Sequence, residues 1–278
     1  MLTRIVIFLL SLWLPGLLCG QADSTQATKA ARKEALKRST RRYGVSQVAG
    51  LYGRVYDERM ARRSYRGPGA QLRFGVEQMR PHEREFMLGE VRGFYLTGRN
   101  GVEVLDGRLE LTYQYQRRLA WARWPAWRWY LGGQAGGLAA GRFNRFLGNS
   151  SVSFEWVGYL ALSGRVERSV DLPLLGRCTL GGDLALPLLS VVGRLPSYAL
   201  SGFEEPTHAL ALVGDFTRVR SGVDLTRPLG AGNQNLFRLR YFWDFYAYRD
   251  IDIHRLRHAT HGLAVVLLFR QGKVWTEG

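Results

Sequence analysis

The residues best suited to chemistry in this chain are its five histidines, at positions 82, 208, 254, 258 and 261. His258 and His261 are three residues apart, so on a strand they face opposite sides, whereas chelation from one strand requires a spacing of two. In a loop, His254, His258 and His261 could instead converge as a small polar cluster. The favoured interpretation is that they are polar residues leading into the last strand.

Motifs for nucleophilic, metal or phosphate chemistry are absent from the sequence. It contains no Gly-x-Ser-x-Gly elbow, no His-Glu-x-x-His zinc motif and no phosphate-binding loop. The sequence therefore predicts no catalytic residue, no metal site and no cofactor, which favours a protein that is not an enzyme.

Charged and polar residues alternate with apolar ones over much of the chain. In RLELTYQYQ, at 108–116, leucines and tyrosines fall on one face and polar residues on the other. Only a strand separates alternate residues in this way. The same period recurs near 152–163 and 237–246. The polar faces are expected to point into a barrel interior, and they carry Glu90, Arg92, Glu110, Gln114, Glu155, Arg238, Arg240 and Asp244.

Turn residues divide the chain into candidate strands near 47–57, 69–79, 85–97, 104–117, 126–139, 151–164, 176–187, 208–217, 218–227, 236–249 and 258–270. Pro173 and Pro187 suit strand ends or bulges. The fold class predicted is all-β, a closed antiparallel transmembrane β-barrel over residues 46–270. Single-chain bacterial barrels have even strand numbers, so eleven indicates one miscounted strand. Twelve strands are favoured, and ten is the alternative.

Strand length and aromatic residues favour a membrane barrel over a soluble one. Many segments run for about 11–14 residues, enough for the roughly 9–11 of a tilted membrane crossing. Gly132, Gly133, Gly136 and Gly137 lie within a strand, where a barrel needs close backbone approach or room inside. Aromatic rings prefer the membrane–water interface, and the candidates for that position are Trp121, Trp124, Trp127, Trp129 and Trp243.

The two ends of the chain differ from the barrel segment. Residues 1–20 have the charged start, short apolar core and small residues of a cleaved signal peptide. Residues 21–45 form a basic arm, helical or disordered, and residues 271–278 form a C-terminal tail. The arm is expected in the periplasm, where its basic stretch 29–42 could bind an envelope protein partner.

The net charge of +16 raises the question of nucleic acid. The basic residues are spread along the chain, whereas nucleic-acid binders usually concentrate them on one stripe. No nucleic-acid partner is predicted, and outer-membrane lipid is the expected partner of the basic surface. After signal cleavage only Cys178 remains, so no disulfide forms within the chain.

Several phrases taken in order resemble a known group of proteins. They are NRFLGNSS at 144–151, LPLL at 186–189, RLPSYA at 194–199 and YFWDFY at 241–246. Over roughly residues 70–270 the chain looks like uncharacterised outer-membrane β-barrel proteins of the Bacteroidota. The resemblance implies the fold and an outer-membrane location, and it brings no activity.

Three functions remain open from the sequence. The leading one is an outer-membrane barrel with a structural or interaction role in the cell envelope. The first alternative is a narrow channel for small solutes. The second is a lipid-modifying outer-membrane enzyme, a class that needs a serine or histidine constellation at a defined position.

Overall fold

The computed structural model describes residues 40–58, 61–99, 101–120, 124–144, 152–195, 207–212, 216–229, 234–249 and 255–271. The predicted signal peptide, most of the arm, the tail beyond residue 271, Trp121 and His254 lie outside them. These residues form strands β1 (Arg41–Asp57), β2 (Ala61–Met79), β3 (Glu83–Gly98), β4 (Glu103–Leu119), β5 (Trp127–Asn144), β6 (Val152–Leu172), β7 (Gly176–Leu195), β8 (Thr207–Leu212), β9 (Phe216–Leu229), β10 (Asn235–Arg249) and β11 (Arg255–Arg270).

The strands close into a barrel. From β1 to β7 each strand pairs antiparallel with the next, β9 pairs with β10 and β10 with β11. Closure comes from β1, which pairs with β11 from Tyr43 to Asp57, for instance Gly50 opposite Leu263. β1 begins at Arg41, so residues 41–45 belong to the wall although the barrel was predicted to start at residue 46. The all-β, closed, antiparallel fold class is confirmed.

The barrel has ten strand positions in the described residues, not the favoured twelve. β8 and β9 both run antiparallel to β7 and share its edge. β8 pairs with the stretch from Leu189 to Arg194, and β9 with the stretch from Thr179 to Ala185. The predicted strands 208–217 and 218–227 are therefore successive parts of one wall position, because the chain does not reverse between them. Splitting this one wall position into two predicted strands produced the odd number of eleven.

Alternation divides each strand into an outer and an inner face. In β4, Leu109, Leu111 and Tyr113 are exposed on the outside, whereas Arg108 and Glu110 are buried inside. Period-two spacing imposes this separation, since successive side chains of a strand point to opposite sides of the sheet. The barrel thus has an apolar outer wall and a polar interior. Among the described residues, no helix is long and apolar enough to span a membrane.

Two of the four glycines within β5 occupy positions where any larger side chain would clash. A Cβ at Gly132 would lie 1.9 Å from the backbone oxygen of Tyr115, and one at Gly136 would lie 2.4 Å from the Tyr159 hydroxyl. Gly133 and Gly137 face outward, and a Cβ there meets nothing closer than 3.9 Å. Gly136 therefore makes room for a side chain of the interior.

Pro187 marks an irregularity in the wall. The β6–β7 register shifts there, because Leu160 lies opposite Leu189 while Ala161 lies opposite Pro187. β7 thus carries an extra residue at this point, which is a β-bulge. Proline lacks the N–H that a regular ladder requires, so it is tolerated at such a bulge. Pro173 lies in the turn between β6 and β7, as expected of a strand end.

Candidate functional site

The candidate site is the barrel interior, which is filled by paired charges. The arginines in these pairs are Arg73, Arg84, Arg92, Arg108, Arg142, Arg165, Arg194, Arg218, Arg220, Arg238 and Arg240. Their carboxylate partners are Asp57, Glu77, Glu90, Asp106, Glu110, Glu155, Glu167, Asp183, Asp224 and Asp244. Eleven cations and ten anions bring the described interior close to neutrality.

The pairs fall into three clusters along the barrel axis. The terminal cluster lies towards the rim where β1 begins and β11 ends, and comprises Glu77, Arg84, Arg165, Glu167, Asp183, Asp224, Arg238 and Arg240. The central cluster comprises Arg73, Glu90, Arg92, Glu110, Arg218, Arg220 and Asp244. The distal cluster, towards the opposite rim, comprises Asp57, Asp106, Arg108, Arg142, Glu155 and Arg194.

The terminal cluster connects strands from the first and last parts of the barrel. Arg165 donates two nearly parallel hydrogen bonds to Asp224, at 2.8 and 2.9 Å. Arg238 donates to Glu77 at 3.2 Å, and Arg84 donates to the same carboxylate at 2.5 Å. Two-pronged arginine–carboxylate bonds fix orientation as well as charge. These side chains therefore fasten β2 and β3 to β10, and β6 to β9, across the interior.

The central cluster converges on two carboxylates. Glu110 accepts from Arg218 at 2.9 and 3.1 Å, from Arg220 at 2.7 Å and from the Tyr159 hydroxyl at 2.5 Å. Asp244 accepts from Arg218 at 2.9 and 3.1 Å. The Tyr159 hydroxyl reaches Glu110 over Gly136, where no side chain intervenes. Several donors on each carboxylate compensate for its removal from water.

The distal cluster contains the two largest fully buried side chains of the described barrel, Arg142 and Arg194. Arg142 is 1% exposed and donates to Glu155 at 2.6 Å and to the Tyr246 hydroxyl at 2.9 Å. That hydroxyl in turn donates to Glu155 at 2.6 Å. Arg194 donates to Asp57. A buried charge of this kind is tolerated only when it is paired and hydrogen-bonded.

All eight predicted interior residues lie on the inner face. Six of them are buried, namely Glu90, Arg92, Glu110, Glu155, Arg238 and Asp244. Gln114 and Arg240 are partly buried and line a cavity inside the barrel. The prediction omitted many partners, including Arg142, Arg165 and Asp224. Charged residues two positions apart on one strand, such as Arg165 and Glu167, were a signal that could have found them.

The tryptophans do not form one group. Trp124, Trp127 and Trp129 lie around the β4–β5 connection, where Trp124 packs edge-on against Trp129 at 6.2 Å between ring centroids. Arg168 lies over the Trp127 ring at 5.4 Å. Trp243 lies on β10, six residues before its end, and stacks on Phe245 at 5.8 Å.

The histidines do not converge in the described part of the chain. His258 is buried in the interior, where its Nδ1 lies 3.2 Å from the Thr260 hydroxyl. His261 faces outward, and its Nδ1 lies 2.7 Å from the Tyr241 hydroxyl. Their opposite orientations agree with the spacing argument. Over the described residues, no group of three or more metal-ligating side chains could hold a metal ion.

Fold and interior together define the class, a closed antiparallel β-barrel with an apolar wall and a charged, packed interior. No family model and no curated protein matches the chain.

Three solved structures illustrate the similarity of this chain to known barrels. The outer membrane protease OmpT from Escherichia coli shares 11% identity at a TM-score of 0.44, over 84% of this chain and 96% of that one. The translocator domain of the autotransporter NalP from Neisseria meningitidis shares 11% identity at a TM-score of 0.43, over 90% of this chain and 98% of that one. Neisserial surface protein A shares 10% identity at a TM-score of 0.33, over 81% of this chain and 96% of that one. Similarities this low assign no activity, substrate or partner to this chain.

Proposed function

We propose that this protein is an outer-membrane barrel with a structural or interaction role in the cell envelope and an interior closed by its own side chains. The observation that carries the proposal is the packing of the three charge clusters. They leave a cavity of about 70 Å³ between the terminal and central clusters. Barrels of about eight strands are filled by side chains, whereas aqueous channels occur at 16–18 strands. A ten-stranded barrel with eleven interior arginines belongs with the filled group.

The outer wall supports the membrane location. Large apolar side chains are exposed around the barrel, and they include Leu111 at 71% and Met87 at 69%. Soluble proteins rarely expose contiguous apolar patches larger than a few hundred Å². Lipid tails are the environment in which such a wall is stable, while the charged interior stays shielded from them.

The connections between strands support an orientation. The described barrel begins at Arg41 and ends at Arg270 on the same rim. The four connections on that rim have three to seven residues, and the five on the opposite rim have three to eleven. Short turns of bacterial barrels face the periplasm. We therefore infer that residues 29–40 of the basic stretch 29–42 precede the wall on the periplasmic side, and that the stretch offers a surface to an envelope protein. The link to the Bacteroidota stays a prediction.

Planar-bilayer recording tests the closed interior. The refolded mature chain is expected to insert without producing discrete conductance steps. As a positive control, Glu110→Ala combined with Arg218→Ala removes two partners of one ion pair and widens the centre of the barrel. Removing both partners together avoids leaving either charge of that pair buried without its counterpart. Conductance steps in the double variant and none in the wild type would support the proposal.

Steps in the wild type would contradict the closed interior and favour the narrow channel. Location is tested independently by membrane fractionation and by electrophoresis in detergent. The mature protein is expected in the outer-membrane fraction, and the unboiled sample should migrate faster than the boiled one. Recovery from the soluble periplasm would contradict the membrane assignment. The bilayer recording tests a different point, whether the interior is closed.

A further inference from the structure

The cavity between the terminal and central clusters is lined by more arginines than carboxylates. Its arginines are Arg73, Arg165, Arg220, Arg238 and Arg240. Its carboxylates are Glu77, Glu90 and Asp183. Five arginines and three carboxylates therefore surround a volume of about 70 Å³, and the carboxylate partners of Arg165 and Arg220, which are Asp224 and Glu110, lie just outside this lining. A low-dielectric wall strengthens the interaction of an arginine N–H donor with any anion that enters.

Each carboxylate of the wall accepts from an arginine, although Oδ1 of Asp183 has no hydrogen-bond partner among the described residues. Glu77 accepts from Arg238 at 3.2 Å, and Asp183 accepts from Arg240 at 2.8 Å. Glu90 accepts from Arg73 at 2.8 Å. An arginine carries five N–H donors. Arg240 uses only Nη2 in its bond to Asp183, so its guanidinium retains further donors beside the cavity.

Two donors at the cavity have no acceptor among the described residues. One is the amide Nε2 of Gln47, a residue that is 2% exposed, and the other is Nε of Arg220. A buried donor without a partner destabilises the folded state, and the effect is larger when the donor is charged. The amide of Gln47 is an independent sign that this wall is built around an acceptor.

The size of the cavity limits what the acceptor is. One water needs roughly 10–15 Å³ on this scale, so about 70 Å³ holds about five water-sized groups. A tetrahedral oxyanion has five heavy atoms, and guanidinium groups match its oxygens in geometry and charge. We propose that the cavity binds one small tetrahedral oxyanion, of the class of inorganic phosphate and sulfate, held by Gln47 and the remaining donors of Arg220 and Arg240.

This proposal is independent of the role in the envelope, and it is tested on the isolated barrel. The mature chain is refolded in detergent with radiolabelled inorganic phosphate, or with chloride at equal ionic strength, and then dialysed to equilibrium. The expected result is one phosphate retained per barrel, displaced by sulfate and not by chloride. The unfolding midpoint should also be higher in phosphate than in chloride, because a ligand that binds only the folded state stabilises it.

The variant Gln47→Leu should lower phosphate affinity about ten- to a hundredfold, since a hydrogen bond to a charged group is lost. The matched control is Gln71→Leu. Gln71 is also buried on the inner face, at 1% exposure, with its amide unpartnered among the described residues, but it does not line the cavity. This control should change affinity by less than about twofold.

A second variant keeps the test decisive if Gln47→Leu fails to fold. Gln47→Glu places a carboxylate beside the remaining donors of Arg220 and Arg240, so it should abolish phosphate binding and raise the unfolding midpoint in chloride. Absence of stoichiometric phosphate in the wild type would overturn the proposal. So would equal losses in Gln47→Leu and Gln71→Leu, or undiminished binding by Gln47→Glu.

Discussion

The apolar wall can be tested with one substitution made at two depths of the same strand. Leu111 is the central residue of β4 and is 71% exposed, and Leu119 is its last residue and is 40% exposed. Both face outward. Eight residues separate them, which corresponds to about 26 Å along the strand at 3.3 Å per residue. With a strand tilt of about 40°, the separation along the membrane normal is about 20 Å.

The apolar band of an outer-membrane barrel is about 25 Å tall, so a residue at its middle and one 20 Å away lie in different surroundings. Leu111→Arg places a guanidinium among lipid tails and is expected to destabilise the barrel by about 2–4 kcal/mol. Leu119→Arg places it near the headgroups, where the expected cost is about 0–1 kcal/mol.

The measurement is reversible denaturant unfolding of each variant folded into lipid vesicles, followed by tryptophan fluorescence. Equal costs for the two variants, or a larger cost at Leu119, would refute the assignment of the wall to lipid. If both costs were below about 0.5 kcal/mol, the outer face would be solvated and the barrel would be a soluble one.

Three further outcomes are expected. Glu110→Gln leaves Arg218 with less compensation and should cost about 3–5 kcal/mol in the same unfolding assay, and a cost below 1 kcal/mol would show that the cluster is solvated. Gly136→Ala should lower the unfolding midpoint whereas Gly137→Ala should not, because only the first meets a side chain; equal midpoints would contradict the close approach. Deleting residues 23–39 should leave the faster migration of the unboiled, folded form unchanged. It should weaken any envelope complex in a salt-sensitive way. Loss of folding would show instead that the arm is needed to form the barrel.

The alternation in RLELTYQYQ was sufficient to predict both faces of β4, because Leu111 and Glu110 need only a period of two. Other inner residues escaped prediction for local reasons. Arg142 follows a glycine-rich stretch in which no apolar face is apparent. Dividing a continuous wall position at residues 217 and 218 obscured the register that points Arg218 inward.

Partnerships within the interior were beyond prediction from one strand at a time. The pairing of β8 and β9 with β7 depends on backbone hydrogen bonds that carry no local sequence signal. Likewise, whether Arg142 meets Glu155 or some other carboxylate depends on the strand number and on which inner faces lie opposite each other. Periodicity gives the direction of a side chain, and closure of the barrel decides what it contacts.

The long-range ion pairs of the interior have a consequence for how the barrel forms. Arg238 and Glu77 are 161 residues apart in the chain, and Arg92 and Asp244 are 152 apart. A partly assembled sheet would bring its arginines towards lipid before their carboxylates arrive, so intermediates that span the membrane are unfavourable. Contacts of such sequence separation also form slowly, because loop closure precedes them. Insertion is therefore expected to be concerted with closure of β1 on β11, as a slow transition with a single exponential phase.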